Sequence, residues 1–217
     1  MQEIIRVSPV VFNRTPKKTE KRDHWNVVLE YSDEGSGPWL VDLSHRPRFD
    51  LQSTDLKSLQ PFGMTVPESP GRSLLRNGML ANRMNRTQVS LYSLGGCEVV
   101  PMPSGPGFTD VTEATLCVAM IGKPVFSICE KLSALDFMDP GKQPPFLFQG
   151  PFSHVPCQIA TLGRDGNMAG LVMTCSRGYG RDMIHTLLAA GREFGLEPAG
   201  EIRALDWIEA LQTRVVD

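Results

Sequence analysis

No apolar run in the 217-residue chain approaches the ~20 residues that a membrane-spanning helix needs. The opening MQEIIRVSPVVF is too polar for a secretory signal, and its apolar part is too short. Both absences point to the cytoplasm and away from a membrane. Positive charge is not in excess either. The formal net charge is -2, without the basic surplus or stripe of a nucleic-acid surface. The one basic cluster, Arg14 to Arg22 (RTPKKTEKR), reads as a solvated, mobile N-terminal segment.

Cofactor and catalytic fingerprints are missing as well. There is no GxGxxG and no GxxxxGK[ST], the glycine-rich loops that cradle dinucleotides and nucleotide phosphates. The glycines of Ser104-Gly105-Pro106-Gly107 sit beside prolines that remove the amides a phosphate would need, so this run reads as linker. No GxSxG elbow and no family cysteine signature is present. The five cysteines (Cys97, Cys117, Cys129, Cys157 and Cys175) are an odd number, contain no CxxC, and lie mostly in apolar segments. They read as buried free thiols, not as a disulfide framework. His154 and Cys157 have HxxC spacing. Without a second pair they read as a strand-edge histidine and a core thiol. No catalytic residue and no metal ligand is assigned.

What is present is an ordinary globular composition, 41% hydrophobic and 21% charged. Strands are expected at Glu3 to Phe12, Trp25 to Tyr31, Trp39 to Leu43, Arg48 to Gln52, Gln88 to Leu94 (with one wet face), Ala114 to Ile121, Val155 to Leu162 and Ala169 to Cys175. The last two form a hairpin around Arg164 to Asn167. Helices are expected at Leu56 to Met64, Lys123 to Leu135, Arg181 to Phe194 with Gly195 as a left-handed cap, and Ala199 to Thr213. In the last of these, Ile202, Leu205, Ile208 and Leu211 form the apolar stripe. Gly95 to Gly107 is the best internal linker. This order belongs to α+β folds in which helices cover one face of a mainly antiparallel sheet.

Two stretches echo each other. Asp42-Leu43-Ser44 and Asp110-Val111-Thr112 each open onto an extended segment and then a turn. A repeated unit suggests two similar halves sharing one core. The expected organisation is an N-terminal extension over 1–38 with one or two strands, followed by one domain over 39–217. That domain comprises halves at about 39–96 and 108–196 and a C-terminal helix.

One turn stands out for chemistry. Cys175 to Arg181 (CSRGYGR) joins an apolar strand to a helix. A group at Ser176 can cap that helix, and its free amides attract anions. Arg177 offers a planar fork for a carboxylate, and Tyr179 a face for a flat ring. The alternative is a plain helix cap, with Arg177 in a structural or interface ion pair.

Taken together, FTDVTEATLCVAMIGKPVFSICEKLSALDF and HVPCQIATLGRDGNMAGLVMTCSRGYGRDMIHTLLAAGREFGLEP resemble the gamma subunit of heterotetrameric sarcosine oxidase. The resemblance rests on Asp110-Val111-Thr112, Gly122 to Phe126, Leu135-Asp136-Phe137, Ser176-Arg177 and Gly191 to Gly195, and covers about 108–196. That subunit is related to the folate-binding domain of the glycine-cleavage aminomethyltransferase. The resemblance therefore implies an α+β fold of two similar halves, mainly antiparallel sheet covered by helices. It also implies an accessory subunit of a folate-linked, N-methyl-amine-oxidising complex, with flavin on flavoprotein partner subunits and tetrahydrofolate as one-carbon acceptor. If this chain holds folate itself, as a stand-alone methyl- or aminomethyl-transfer protein, Arg177 and Tyr179 are the candidate contacts. The extension over 1–38 departs from the family pattern, and no folate-orienting acid has an equivalent here.

Overall fold

The computed structural model describes residues 4–96 and 100–213. In chain order the elements are β1 (Pro16–Arg22), β2 (Trp25–Tyr31), β3 (Trp39–Asp42), β4 (Arg48–Gln52), β5 (Ser73–Arg76), β6 (Met79–Arg83), β7 (Gln88–Ser93), β8 (Phe108–Asp110), β9 (Thr115–Ile121), α1 (Val125–Glu130), β10 (Phe146–Phe152), β11 (Val155–Gly163), β12 (Gly170–Ser176), α2 (Gly180–Gly191), β13 (Glu197–Ala199) and α3 (Glu201–Thr213). The class is α+β. None of the described helices is long and apolar enough to cross a membrane.

β9 and β12 are buried almost throughout, so both of their faces must be covered. They are the middle of a six-stranded sheet ordered β10-β11-β12-β9-β3-β13, antiparallel except for the β13–β3 pair. Leu116, Val118 and Met120 face one way, with Leu171 and Met173, into a core closed by α1 and α2. Cys117, Ala119 and Ile121 face the other way, toward α3 (Trp207, Ile208) and toward Leu80 and Tyr92 of a second sheet. That second sheet runs β5-β6-β7-β4-β8, wholly antiparallel. Helices thus lie on both faces of the larger sheet, not on one as the element order suggested.

The chain passes between the two sheets twice: from β3 to β4, and from β8 back to β9. The echoed tripeptides sit at these two crossings and fold alike. Asp42 Oδ1 accepts the Ser44 amide at 2.9 Å, and Asp110 Oδ1 accepts the Thr112 amide at 2.8 Å. The Ser44 hydroxyl bridges the amide and carbonyl of Cys117, at 3.2 and 3.3 Å. The Thr112 hydroxyl bridges those of Arg48, at 3.0 and 3.4 Å. Arg48 is fully buried and fastens the crossings together. It donates to the carbonyls of Leu43, Ser44, Arg46, Thr112 and Thr115 and to the Thr115 hydroxyl.

Beside it, the buried carboxylate of Glu201, first residue of α3, gathers Arg22 Nη1 (2.6 Å), His45 Nε2 (2.6 Å) and the Arg46 guanidinium. A charge at a helix start is favourable in itself. This one also joins the β1–β2 hairpin, the first crossing and α3. Gly200, just ahead, has no room for a side chain, since a Cβ there would meet the Leu29 backbone at 2.3 Å.

Several elements differ from the sequence reading. The basic cluster at Arg14 to Arg22 is not loose: β1 pairs with β2 around a turn in which Asp23 and His24 adopt φ 43° and 65°. Its cations are anchored as Lys17–Glu30, Arg22–Glu201 and Arg14–Glu197. Of the strand expected at Glu3 to Phe12, Glu3 lies outside the described residues, and the rest makes a single bridge, Arg6 to Trp25. Leu56 to Met64 is two short 3-10 turns, because Pro61 and a left-handed Phe62 (φ 52°) interrupt it. β7 has no wet face; Val89 to Ser93 are all buried. α1 stops at Glu130, short of Leu135. In α3 the buried face is Glu201, Ala204, Trp207 and Ile208, because Trp207 seats against Gly170 and displaces the stripe by about one position. β5, β6, β8, β10 and β13 were not expected. Cys117, Cys129, Cys157 and Cys175 are buried free thiols; Cys97 lies outside the described residues.

The Glu201 cluster makes stability acid-sensitive. Burial works to raise its carboxyl, but the His45 hydrogen bond and the charges of Arg46 and Arg22 pull it down from 4.5 to about 2. A depressed acid contributes stability above its unfolded value and loses it as pH falls through the folded value. About 3 kcal/mol should therefore disappear between roughly pH 4.5 and pH 2. Urea unfolding across that range should show this decline, and Glu201→Gln should flatten it while lowering stability at pH 7 by roughly 3–5 kcal/mol.

Candidate functional site

Directly opposed residues of an antiparallel pair share a face. The registers place Gln149, Gln158, Thr174 and Cys117 side by side across β10, β11, β12 and β9. This row lies on the face turned toward the second sheet, in strands that are mostly apolar. Tyr92 of β7 meets it from the other side. The Tyr92 hydroxyl donates to Gln158 Oε1 at 2.7 Å and lies 3.1 Å from the Thr174 hydroxyl. Burial pushes the phenol up to about 12, so it remains a neutral donor. Burial also pushes the Cys117 thiol up to about 11, with Arg48 acting the other way. Gln149 ties the row to the second sheet by donating to the Met84 carbonyl at 2.8 Å.

Between the sheets, at the outer end of this row, lies an open cleft of about 320 Å³. Met84, Thr115, Gln149, Gln158, Thr174 and Ser176 line it. A concave site with a few convergent amides and hydroxyls orients a small polar ligand by hydrogen bonds. Among the described residues no group of three or more His, Cys, Asp or Glu is placed to hold a metal.

The turn singled out in the sequence starts at this cleft and leaves it. Ser176 lines the cleft, but its side chain caps neither the 3-10 turn it precedes nor α2. Arg177 donates from Nη2 to the carbonyl of Val7, and its Nη1 is buried without a hydrogen-bond partner. Tyr179 is exposed. The structure therefore brings Arg177 to the N-terminal segment and not to the polar row.

That segment, residues 4–12, runs as a strap across the start of α2. Pro9 packs on Gly180 so closely that a Cβ there would meet the proline at 2.6 Å. Ser8 donates to Asp42 at 2.6 Å, Arg6 pairs with Asp23 and Glu113, and Val10 is buried in the core. Ile4, Ile5, Val7 and Val11 point outward, 64–71% exposed. His154 occupies the β10–β11 turn in a left-handed conformation (φ 68°), and Cys157 is buried beneath it.

Sequence reasoning passed over the polar row. Its signal was there: Gln158 in VPCQIATL and Thr174 in LVMTCS are polar residues on alternate positions of apolar strands. Tyr92 closing over them is a product of sheet-on-sheet packing.

The Arg177–Val7 contact should hold the strap down. Arg177→Ala should speed amide hydrogen exchange across residues 4–12 while changing global stability by about 1 kcal/mol or less. Exchange mapped by peptide mass beside urea unfolding checks both.

No protein-family model matches the sequence, and no curated protein matches it. Solved structures do. One is a chain of a heterotetrameric sarcosine oxidase from Corynebacterium sp. U-96, in complex with pyrrole 2-carboxylate. It has a TM-score of 0.60 at 13% identity, over 71% of this chain and 84% of that one. Another is the glycine cleavage system aminomethyltransferase T from Bartonella henselae, with a TM-score of 0.51 at 15% identity. There 86% of this chain is covered but only 56% of that one. At such identities the likeness establishes the fold, an aminomethyltransferase-like α+β arrangement.

Proposed function

We propose that this chain is an accessory subunit of a multi-subunit, folate-linked oxidoreductase acting on sarcosine or another N-methyl amine. Its role is to bind partner subunits, and the chemistry belongs to flavoprotein partners in the cytoplasm. The observation that carries this reading is the match to a chain of a heterotetramer over 84% of that chain's length. The match spans 71% of the present chain. The strap adds physical support. Four outward-facing apolar side chains on one nine-residue segment, with exposed Tyr179 on the α2 start that the strap covers, are the kind of surface that partner binding buries.

A second reading, stand-alone tetrahydrofolate-dependent methyl or aminomethyl transfer, draws on the cleft and on the coverage of this chain by the aminomethyltransferase match. Folate does not fit the site well. A cleft of about 320 Å³ lies at the low end of pockets that enclose drug-sized ligands. The Arg177 fork proposed to receive a carboxylate is engaged by Val7. Arg177 becomes a folate contact only if the strap lifts, and Tyr179 is exposed beside it.

Purification of the native complex tests the first reading. The chain should elute with larger, flavin-absorbing partners, and Val7→Asp should release it at unchanged thermal stability; elution alone, without flavin, sinks the proposal. Calorimetric titration with tetrahydrofolate separates the two. The isolated chain should give no heat of binding, whereas tight binding that Arg177→Ala abolishes would establish the transfer protein instead.

A further inference from the structure

Cys157 and Cys175 are direct partners in the β11–β12 ladder. They lie near the start of one strand and the end of the other, on the face opposite the polar row. Directly opposed residues in an antiparallel ladder have Cα atoms about 4.5–5.5 Å apart, inside the roughly 4.4–6.8 Å that a disulfide requires. The two side chains share the core cluster with Ile159 and Met173. The ladder register therefore sets a Cα spacing that a disulfide can span.

They also differ from the remaining described cysteines in access. Cys117 and Cys129 are 0% exposed, and Cys157 and Cys175 are 5% and 4% exposed. Both of the latter belong to the stretches of β11 and β12 that border the 320 Å³ cleft, with their side chains turned to the opposite face. Cys117 faces Thr174 across its ladder, and Cys129 lies in α1, so neither has a thiol opposite. The chemistry of the pair is uneven. A hydrogen bond between the sulfurs raises the Cys157 thiol and lowers that of Cys175. The thiolate, not the thiol, is the form of a cysteine that reacts with oxidants.

We propose that Cys157 and Cys175 form a redox-active dithiol, a modification site that a peroxide converts to an intrachain disulfide. The Cys175 thiolate attacks one peroxide oxygen. The O–O bond breaks, hydroxide leaves and takes up the thiol proton as water, and Cys175 becomes a sulfenic acid. The Cys157 sulfur then displaces that hydroxyl, forming the S–S bond and releasing a second water. Two thiols lose two electrons, and one peroxide gains them. A dithiol reductant reverses the step by exchange. The bond closes beside the cleft, one residue ahead of Ser176.

The test uses the full chain under native conditions. It is treated with stoichiometric hydrogen peroxide, unfolded, alkylated and mapped by peptide mass. The expected product is a Cys157–Cys175 peptide pair lighter by about 2 Da (two hydrogens), returned to two free thiols by dithiothreitol. Cys117 and Cys129 should be recovered alkylated. Cys175→Ser should leave Cys157 a free thiol, and Cys157→Ala should leave Cys175 trapped as a sulfenic acid by a dimedone probe, each with an unchanged circular dichroism spectrum. The proposal is overturned if both thiols survive peroxide that oxidises Cys97, if either pairs with another cysteine, or if they pass to sulfinic acid without joining.

Discussion

One buried cation holds the two sheets in register with each other. Arg48 begins β4 and is fully buried, and among the described residues no carboxylate pairs with it. A charge removed from water is costly unless every donor is satisfied. Here five backbone carbonyls and a hydroxyl supply the partners. Those carbonyls belong to the two segments in which the chain crosses between sheets. Each crossing would otherwise bury unpaired carbonyls, and Arg48 would otherwise bury an unpaired charge. Each deficit answers the other.

The rest of the architecture is attached to that junction. Ser44 and Thr112 hold each crossing to the strand beside it through equivalent hydroxyl bridges. The neighbouring Glu201 cluster fastens α3 and the β1–β2 hairpin to the first crossing. The polar row of Gln149, Gln158, Thr174 and Cys117 and its Tyr92 closure then follow from how the second sheet is set against the first. The cleft opens beside that row, between Met84 and the strands that carry Gln149, Gln158 and Thr174.

The N-terminal strap changes the meaning of the Ser176 to Arg181 turn. As sequence, two glycines, an arginine and a tyrosine before a helix suggest an anion site. In the fold, the helix start is covered by Pro9, and the Arg177 fork has been given to a main-chain carbonyl. The surface that remains is apolar and faces outward. A segment anchored by Val10, Ser8 and Arg6 while exposing Ile4, Ile5, Val7 and Val11 is ordered without being buried, a state that suits contact with another subunit.

Local chemistry made part of this readable from the chain itself. The apolar continuity of β9 and β12, the left-handed Gly195 (φ 74°) closing the turn after α2, and the like tripeptides at Asp42 and Asp110 depend on spacings of a few residues. Asn77-Gly78 likewise carries a hairpin signal, with φ 50° and 74° at the β5–β6 turn, although the reading passed it by. The anchoring of β1 on Glu201, the shift of the α3 stripe and the burial of Arg48 were set by contacts between residues far apart in sequence. A lysine-rich strand is tied down by Glu30 and Glu201, and Trp207 turns its helix to meet Gly170. What the sequence determined alone is the α+β class and the strongly patterned segments, β2, β9, β11, β12, α2 and α3 among them, because propensity and periodicity are local. Which polar groups converge on the cleft, and which apolar side chains of the strap are left facing outward, only the tertiary packing decided.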